Sequence, residues 1–313
     1  MQSLPALVRA VQRHGGDNEI VVVIDYESSD GTDEYVRRNF PQVRAIVAGH
    51  PLYFNAATRL GIDSSTRDVV VLINNDVTVQ EDFLSQLLES FTDSSVFGVA
   101  TRISDAATAL ETGKTVVQRQ DGILTWRHVP VTREDEERGY CPVSWLHRGA
   151  YAFDRRKYTW MRGLDDLYDP LYFEDADLCM RAWKIGWKCL LAVNSKVSHQ
   201  HRVDFPAAGT NFVRMITRRN AYIFCWKNIT DFRWLAQHFW TATRRRARHV
   251  NDRAGLVLEL RALAGALRRL PQLLKRRLRM ARMSVVKDSQ IFERGRVPSA
   301  CQAPAAKARI EGI

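Results

Sequence analysis

Apolar residues recur along this chain in two alternating rhythms. In LPALVRAVQR (4–13), Leu4, Leu7, Val8 and Val11 fall on one face of a helix. GGDNE breaks that pattern, and IVVVID (20–25) is a continuous β-branched run of the kind that fills a sheet buried on both faces. After the polar turn ESSDGT the pattern predicts a short helix over 33–39, a strand over RAIVAG (44–49) and a helix over FNAATRLGI (54–62). A strand over DVVVLIN (68–74) and a helix from Glu81 to Phe91 follow. Strand and helix alternating in units of about 25 residues is the rhythm of an α/β domain with right-handed crossovers.

Residues 100–140 are weakly patterned, with short strands expected near 114–118 and 123–129 and an acidic loop at 133–138. The segment PLYFEDADLCMRAWKIGW begins at Pro170 and predicts a helix from Asp175 to Ile185. Leu178, Ala182 and Ile185 share a face, Asp177 and Arg181 make an i,i+4 pair, and Gly186 stops the helix. WKCLLAV (187–193) reads as a strand running into Ser198-His199-Gln200-His201. Beyond about 231 the chain becomes helical and rich in arginine, and the last thirty residues, with Pro298 and Pro304, read as loosely ordered.

Composition narrows the class. With 313 residues and 45% hydrophobic content the chain makes one large domain, or one domain with an appendage. No run approaches the roughly 20 apolar residues of a membrane span, and no charged-then-apolar leader opens the sequence. The five cysteines are scattered without a CxxC pair, which argues against a zinc knuckle or a disulfide framework and makes a reducing cytoplasm the default.

The net charge of +11 is local. Between Arg244 and Arg282 lie thirteen basic residues against Asp252 and Glu259, which accounts for the whole excess. In the same stretch Leu256, Leu260, Leu263, Leu267, Leu270, Leu274 and Leu278 give a basic amphipathic helix, interrupted at Pro271. This predicts attachment to an anionic membrane surface, at about 1 kcal/mol per basic residue near the headgroups. The expected location is cytoplasmic, peripheral on the inner face of the plasma membrane. A solvated helix packed on the domain is the plainer alternative.

Candidate chemistry sits at the strand ends, where open α/β sheets bind ligands. One end carries Asp25-Tyr26-Glu27-Ser28-Ser29-Asp30-Gly31 and another Asn74-Asn75-Asp76. Ordinary turn chemistry explains either one singly. A carboxylate with amide oxygens on a tight turn suits Mg²⁺ or Mn²⁺, which keep waters and borrow phosphate oxygens. The cluster Glu174, Asp175, Asp177 opens a helix, where free N–H groups favour negative charge. A cap and an ion pair with Arg181 use two of these acids, and the third is placed to act as a general base. His199, arriving on the same edge, can supply an imidazole nitrogen.

Taken in order, VVVIDYESSDGT (21–32), VLINNDV (71–77), GLDDLYDPLYFEDADLCMRAWKIGW (163–187) and VSHQH (197–201) resemble the family 2 glycosyltransferases of the GT-A fold, most of all bacterial rhamnosyltransferase-like members. The resemblance spans roughly residues 1–230, and RNAYIFCWKNI (219–229) looks like the segment that follows the catalytic domain in such enzymes. It implies a Rossmann-like, mostly parallel sheet flanked by helices over 1–230, a basic helical segment over 231–284 and a loose tail over 285–313. Asp25, with Ser28 and Asp30, would hold the base and ribose of a nucleotide-sugar, and Asn75 would lie beside them. Asp76 and His199 would bind a divalent metal, Asp175 would be the catalytic base and Glu174 would shape the acceptor pocket. The implied reaction is inverting transfer of a rhamnosyl-type or similar sugar to a glycan or lipid-linked acceptor in cell-surface polysaccharide synthesis.

Departures from that pattern are visible. Family members open with an apolar strand before the first helix, whereas here the helix follows Met1 at once, so the expectation is a sheet lacking its first strand. Pro51, Tyr53 and Arg59 replace the family's usual residues in HPLYFNAATRLGI (50–62). Two rival readings follow: an inactive sugar-nucleotide-binding homologue, and a basic nucleic-acid-binding protein, the latter disfavoured because the arginine-rich stretch lacks interleaved aromatics.

Overall fold

The structure is a computed structural model that describes residues 3–105, 111–120, 122–146, 149–199, 210–248 and 253–294. The first third follows the predicted rhythm closely. α1 (Ser3–His14) leads to β1 (Ile20–Ile24), α2 (Thr32–Asn39), β2 (Val43–Val47), α3 (Phe54–Ser64) and β3 (Val69–Ile73). A tight turn then gives β4 (Val77–Val79), α4 (Phe83–Leu88) with a 3-10 extension, and the long β5 (Val96–Asp105). Next come β6 (Glu111–Thr112) and the hairpin of β7 (Thr115–Gln120) and β8 (Ile123–His128). α5 (Arg133–Arg138), β9 (Tyr140–Pro142), β10 (Ala150–Asp154) and α6 (Arg155–Trp160) precede α7 (Glu174–Ile185) and β11 (Lys188–His199). Five helices finish the described chain: α8 (Thr210–Asn228), α9 (Phe232–Arg248), α10 (Arg253–Arg268), α11 (Leu270–Met283) and α12 (Asp288–Arg294).

The central sheet runs β3-β10-β5-β11-β4, with β6 beside β5 and β9 beside β11. Its two faces alternate cleanly along β10, where Ala150 and Ala152 face one core and Tyr151 and Phe153 the other. The expected mostly parallel sheet is corrected to a mixed one. β5 and β11 are parallel, but β10 runs antiparallel to both β3 and β5, and β4 antiparallel to β11. The physical reason is chain length: the Asn74–Asp76 turn and the long excursion through β6–β9 return the chain without a crossover helix.

β1 and β2 form a separate parallel pair. Their orientation is fixed at the roots. Asp17, just before β1, pairs with Arg67, just before β3, and Glu19 Oε1 accepts from Thr66 N at 2.5 Å and Thr66 Oγ1 at 3.0 Å. The two strands therefore start together and end on one edge. Helices bridge them on both faces. α1 packs Val8 against Ile20 and Val43 and packs Ala6 and Ala10 against the central sheet. On the other face α3 places Ile62 in the main core, and Gly61 lies so near β1 that an added Cβ would sit 3.2 Å from Val23. Yet among the described residues no ladder joins β1 to β3.

Two further expectations change. The acidic stretch 133–138 is not a loop but α5, because Thr132 and Asp135 form a reciprocal capping box and Gly139 ends the turn at φ 76°. The C-terminal segment is not loose throughout: α12 is anchored by buried Asp288, which accepts from Lys184 at 2.5 Å, Thr230 N at 2.6 Å and Asp231 N at 2.8 Å. Residues 295–313, with Pro298 and Pro304, lie outside the described residues. Pro271 stands in the first turn of α11, where its missing N–H costs nothing, so the predicted interruption is a helix start. Among the described residues no helix is long and apolar enough to cross a membrane.

Candidate active site

The ends of β3, β5 and β11 share one edge of the central sheet, and the end of β1, in its own two-stranded sheet, carries Asp25, Ser28 and Asp30. At the end of β1, Asp25 O accepts from Ser28 N at 3.1 Å and Asp25 Oδ1 from Glu27 N at 3.4 Å. Asp30 Oδ1 accepts from Thr32 N at 3.1 Å at the start of α2, and Gly31 takes the left-handed conformation (φ 76°) that this turn requires. Asp25, Ser28 and Asp30 are all exposed there.

After β3, Asn74 N donates to Gly149 O at 2.8 Å and Val77 N to Asn74 O at 3.1 Å, which closes a tight turn over Asn75 and Asp76. Asn75 is exposed, and its carbonyl accepts from Ser3 Oγ at 2.5 Å. Asp76 is half-buried, and its Oδ2 lies 3.0 Å from His199 Nε2. Sheet register explains the meeting, since His199 lies opposite Val77 on β4 and opposite Asp105 on β5. Gln200 and His201 fall outside the described residues.

α7 runs antiparallel to β11, to which it is joined by the tight turn at Gly186, so its N-terminus lies on the same edge. Glu174 and Asp175 occupy its first turn and are 1% and 3% exposed. No side chain caps this end: Phe173 is the N-cap residue, in the left-handed region at φ 75°, preceded by Tyr172 at φ 73°. Two successive non-glycine residues in that region are costly and persist only where surroundings over-determine them. Asp175 Oδ1 accepts from Ala176 N at 2.7 Å. Buried Tyr151 has its phenol raised well above its usual range, first by burial and then by the charge on Asp175, which places that residue close behind the carboxylate.

Asp177, the third acid of the cluster, is fully buried and belongs to the core. Its carboxylate accepts from Tyr168 Oη at 2.8 Å, Arg181 Nε at 2.8 Å, Asn228 Nδ2 at 2.8 Å and Lys227 Nζ at 2.7 Å. Burial alone would raise its pKa, but Lys227 and Arg181 outweigh it and hold the group at about 2. Burial lowers Lys227 to about 8 despite the opposing pull of Asp177, so both groups remain charged at neutral pH.

The loop leading into Glu174 is held from three sides. From α8, Asn220 Nδ2 contacts Tyr168 O, Leu171 O and Tyr172 O at 2.8–2.9 Å, and Arg219 reaches Asp169 O. From α3, Arg59 makes a two-pronged pair with Asp169 at 2.9 and 2.7 Å, and Asn55 N donates to Pro170 O at 3.4 Å. From α11, Arg276 pairs with Asp165 and Asp166. Of these supporting residues the sequence marks Arg59 only as a departure from the family's pattern, and Arg219, Asn220, Lys227 and Asn228 only as part of RNAYIFCWKNI. The available signal was two adjacent polar pairs, Arg219-Asn220 and Lys227-Asn228, eight residues apart and flanking the apolar run AYIFCW.

Among the described residues no group of three or more His, Cys, Asp or Glu side chains forms a ready-made metal cage. Asp76 and His199 bring two candidate donor atoms within 3.0 Å of one another.

This is the GT-A arrangement, a mixed α/β sheet flanked by helices with acidic strand ends on one edge. Residues 2–156 match the family model described as Glycosyl transferase family 2. Among solved structures the chain is similar to GalNAc-T7 with UDP, GalNAc and Mn²⁺, at 15% identity and a TM-score of 0.58, covering 74% of this chain and 45% of that one. A mannosyltransferase from Pyrobaculum calidifontis, in complex with GDP-Man and Mn²⁺, aligns at 15% identity over 80% of this chain and 77% of that one, with a TM-score of 0.44. Comparison with curated proteins finds no match. The likeness to these structures is one of fold, and the chain spans less than half the length of the GalNAc-T7 structure.

Proposed function

We propose that the protein transfers a sugar from a nucleotide-diphosphate donor to an acceptor hydroxyl with inversion. The observation that carries this reading is the convergence, on one sheet edge, of a buried carboxylate pair at a helix start with the Asp76–His199 pair. Asp25, Ser28, Asp30 and Asn75 line that edge and would take the nucleoside.

The donor set fits Mg²⁺ or Mn²⁺. Asp76 Oδ2 and His199 Nε2 lie 3.0 Å apart, so the two side chains would hold such an ion between them. A carboxylate with an imidazole suits such an ion, and the similar GalNAc-T7 structure holds Mn²⁺. When bound, the ion would neutralise charge developing on the departing diphosphate.

The chain's own residues would do the rest. Asp175 accepts the proton of the acceptor hydroxyl as its oxygen attacks the anomeric carbon. The bond from that carbon to the diphosphate breaks, and its electron pair leaves with the nucleotide. One base on the face opposite the leaving group gives a single displacement and inverted configuration, by the geometric logic of inverting glycoside hydrolysis. Glu174, beside it, would shape the acceptor pocket.

The sequence resemblance supports a rhamnosyl-type or similar donor and a glycan or lipid-linked acceptor in cell-surface polysaccharide synthesis. The interrupted sheet beside Asp25 favours a second reading, an inactive sugar-nucleotide-binding homologue. A thermal-stabilisation screen of nucleotide-sugars with Mn²⁺ or Mg²⁺, followed by release of nucleoside diphosphate, separates the two. Stabilisation with release supports transfer, stabilisation without release supports the binder, and no stabilisation by any nucleotide-sugar overturns both.

A further inference from the structure

The basic residues of α10 and α11 do not all serve one purpose. Arg276 and Arg277 turn inward, Arg276 to Asp165 and Asp166 and Arg277 to the carbonyls of Trp226 and Ile229. They are structural cations, unavailable to a partner. Arg269 and Arg279 are half-buried, whereas Arg261, Arg268, Lys275 and Arg282 face water and follow a repeat. Leu260-Arg261, Leu267-Arg268, Leu274-Lys275 and Ala281-Arg282 recur every seven residues, through the α10–α11 junction, and all eight are exposed. Seven residues are nearly two helical turns, so within each helix the apolar members align in a stripe with the cations along one flank. Val257 and Leu278 widen the stripe, and Val257, Leu260, Leu267, Leu274 and Leu278 are each 41–60% exposed. Both helices pack on α8 through their opposite faces, Ala262 and Ala266 from α10 and Leu273 from α11 being fully buried.

We infer that this outward face of α10 and α11 is a docking surface for an anionic lipid bilayer, with the leucines entering the acyl boundary and Arg261, Arg268, Lys275 and Arg282 reaching the headgroups. Charge complementarity selects the occupant. A second copy of the same face would bring the two cation rows together at the cost of like-charge repulsion. A nucleic acid would match the cations, but it would leave an exposed leucine stripe against phosphate, with no aromatic ring in the repeat for a base to stack upon. An anionic bilayer satisfies both halves of the pattern. This inference stands apart from the transfer reaction, since it uses none of the residues at the sheet edge.

The test is co-sedimentation of the full chain with vesicles of phosphatidylcholine alone and of phosphatidylcholine mixed with phosphatidylglycerol. Two variant sets separate the contributions: Leu260→Gln, Leu267→Gln, Leu274→Gln and Leu278→Gln, and Arg261→Gln, Arg268→Gln, Lys275→Gln and Arg282→Gln. The wild type should prefer the mixed vesicles by at least about tenfold, and each set should lose at least about tenfold of that binding with its far-UV dichroism unchanged. The wild-type preference and its weakening by salt need no variant, so a set that fails to fold leaves the test intact. Equal affinity for both vesicle types overturns the inference. So does wild-type binding by the leucine set, duplex DNA binding without vesicle binding, or a lipid-free dimer that the leucine set dissolves.

Discussion

Lys227 and Asp177 are fifty residues apart in the chain and 2.7 Å apart in the fold, where the ammonium also reaches Asp165. Through this contact the helix after the sheet grips the helix that carries Glu174 and Asp175. Removing one member of a buried pair strands the other charges. Lys227→Met should therefore destabilise the protein by about 3–5 kcal/mol, read as a lowered denaturation midpoint in urea. A change under about 1 kcal/mol would show the pair to be incidental.

The same carboxylate sets an acid limit. Asp177 is held at about 2, below its ordinary 3.8, so the folded state binds its proton less readily than the unfolded chain. By linkage its contribution is fully present above pH 3.8 and is lost as pH falls from there toward 2. Thermal midpoints measured across that window should drop more steeply for wild type than for Asp177→Asn. Parallel curves would refute the assignment.

Asp175→Asn removes the proposed base without changing shape. Turnover should fall by about 10²-fold or more while donor affinity, measured by titration with the nucleotide-sugar, stays within about twofold. An active Asn variant would move the base elsewhere.

Asp76→Asn and His199→Ala should each weaken Mn²⁺ affinity by about ten- to a hundredfold, followed by the electron paramagnetic resonance of free Mn²⁺. Unchanged affinity in both would remove the metal from this edge.

Asn220 acts one step back, as a positioning residue. Its amide fixes three carbonyls of the loop that delivers Tyr172 and Phe173 in the left-handed region. Asn220→Ala should lower kcat more than it raises donor KM, because the nucleotide side of the edge is untouched. A rise in KM with kcat unchanged would contradict that role.

Much of this was legible in the sequence. β1, β3 and α3 fall within a residue or two of prediction because each has an unbroken period bounded by polar turns. Asp76 and His199 were placed by strand ends alone. The direction of β10 was not legible, since nothing local in AYAFD distinguishes parallel from antiparallel neighbours. α5 was missed because its capping box lay inside a charge run that reads as loop. The division of labour among Glu174, Asp175 and Asp177 was hidden too, because it depends on Lys227 and Asn228, whose arrival is a tertiary event.

The seam between β1 and β3 has a consequence for handling the molecule. Among the described residues, β1 and β3 each have a strand partner on one side alone, and Asp17–Arg67 and Glu19–Thr66 tie them at their roots. Such a seam is a template for any extended oily peptide, and concentrated solutions should tend to recruit strands there from neighbouring molecules. A short β-branched peptide supplied in excess would compete for that place and keep the protein dispersed.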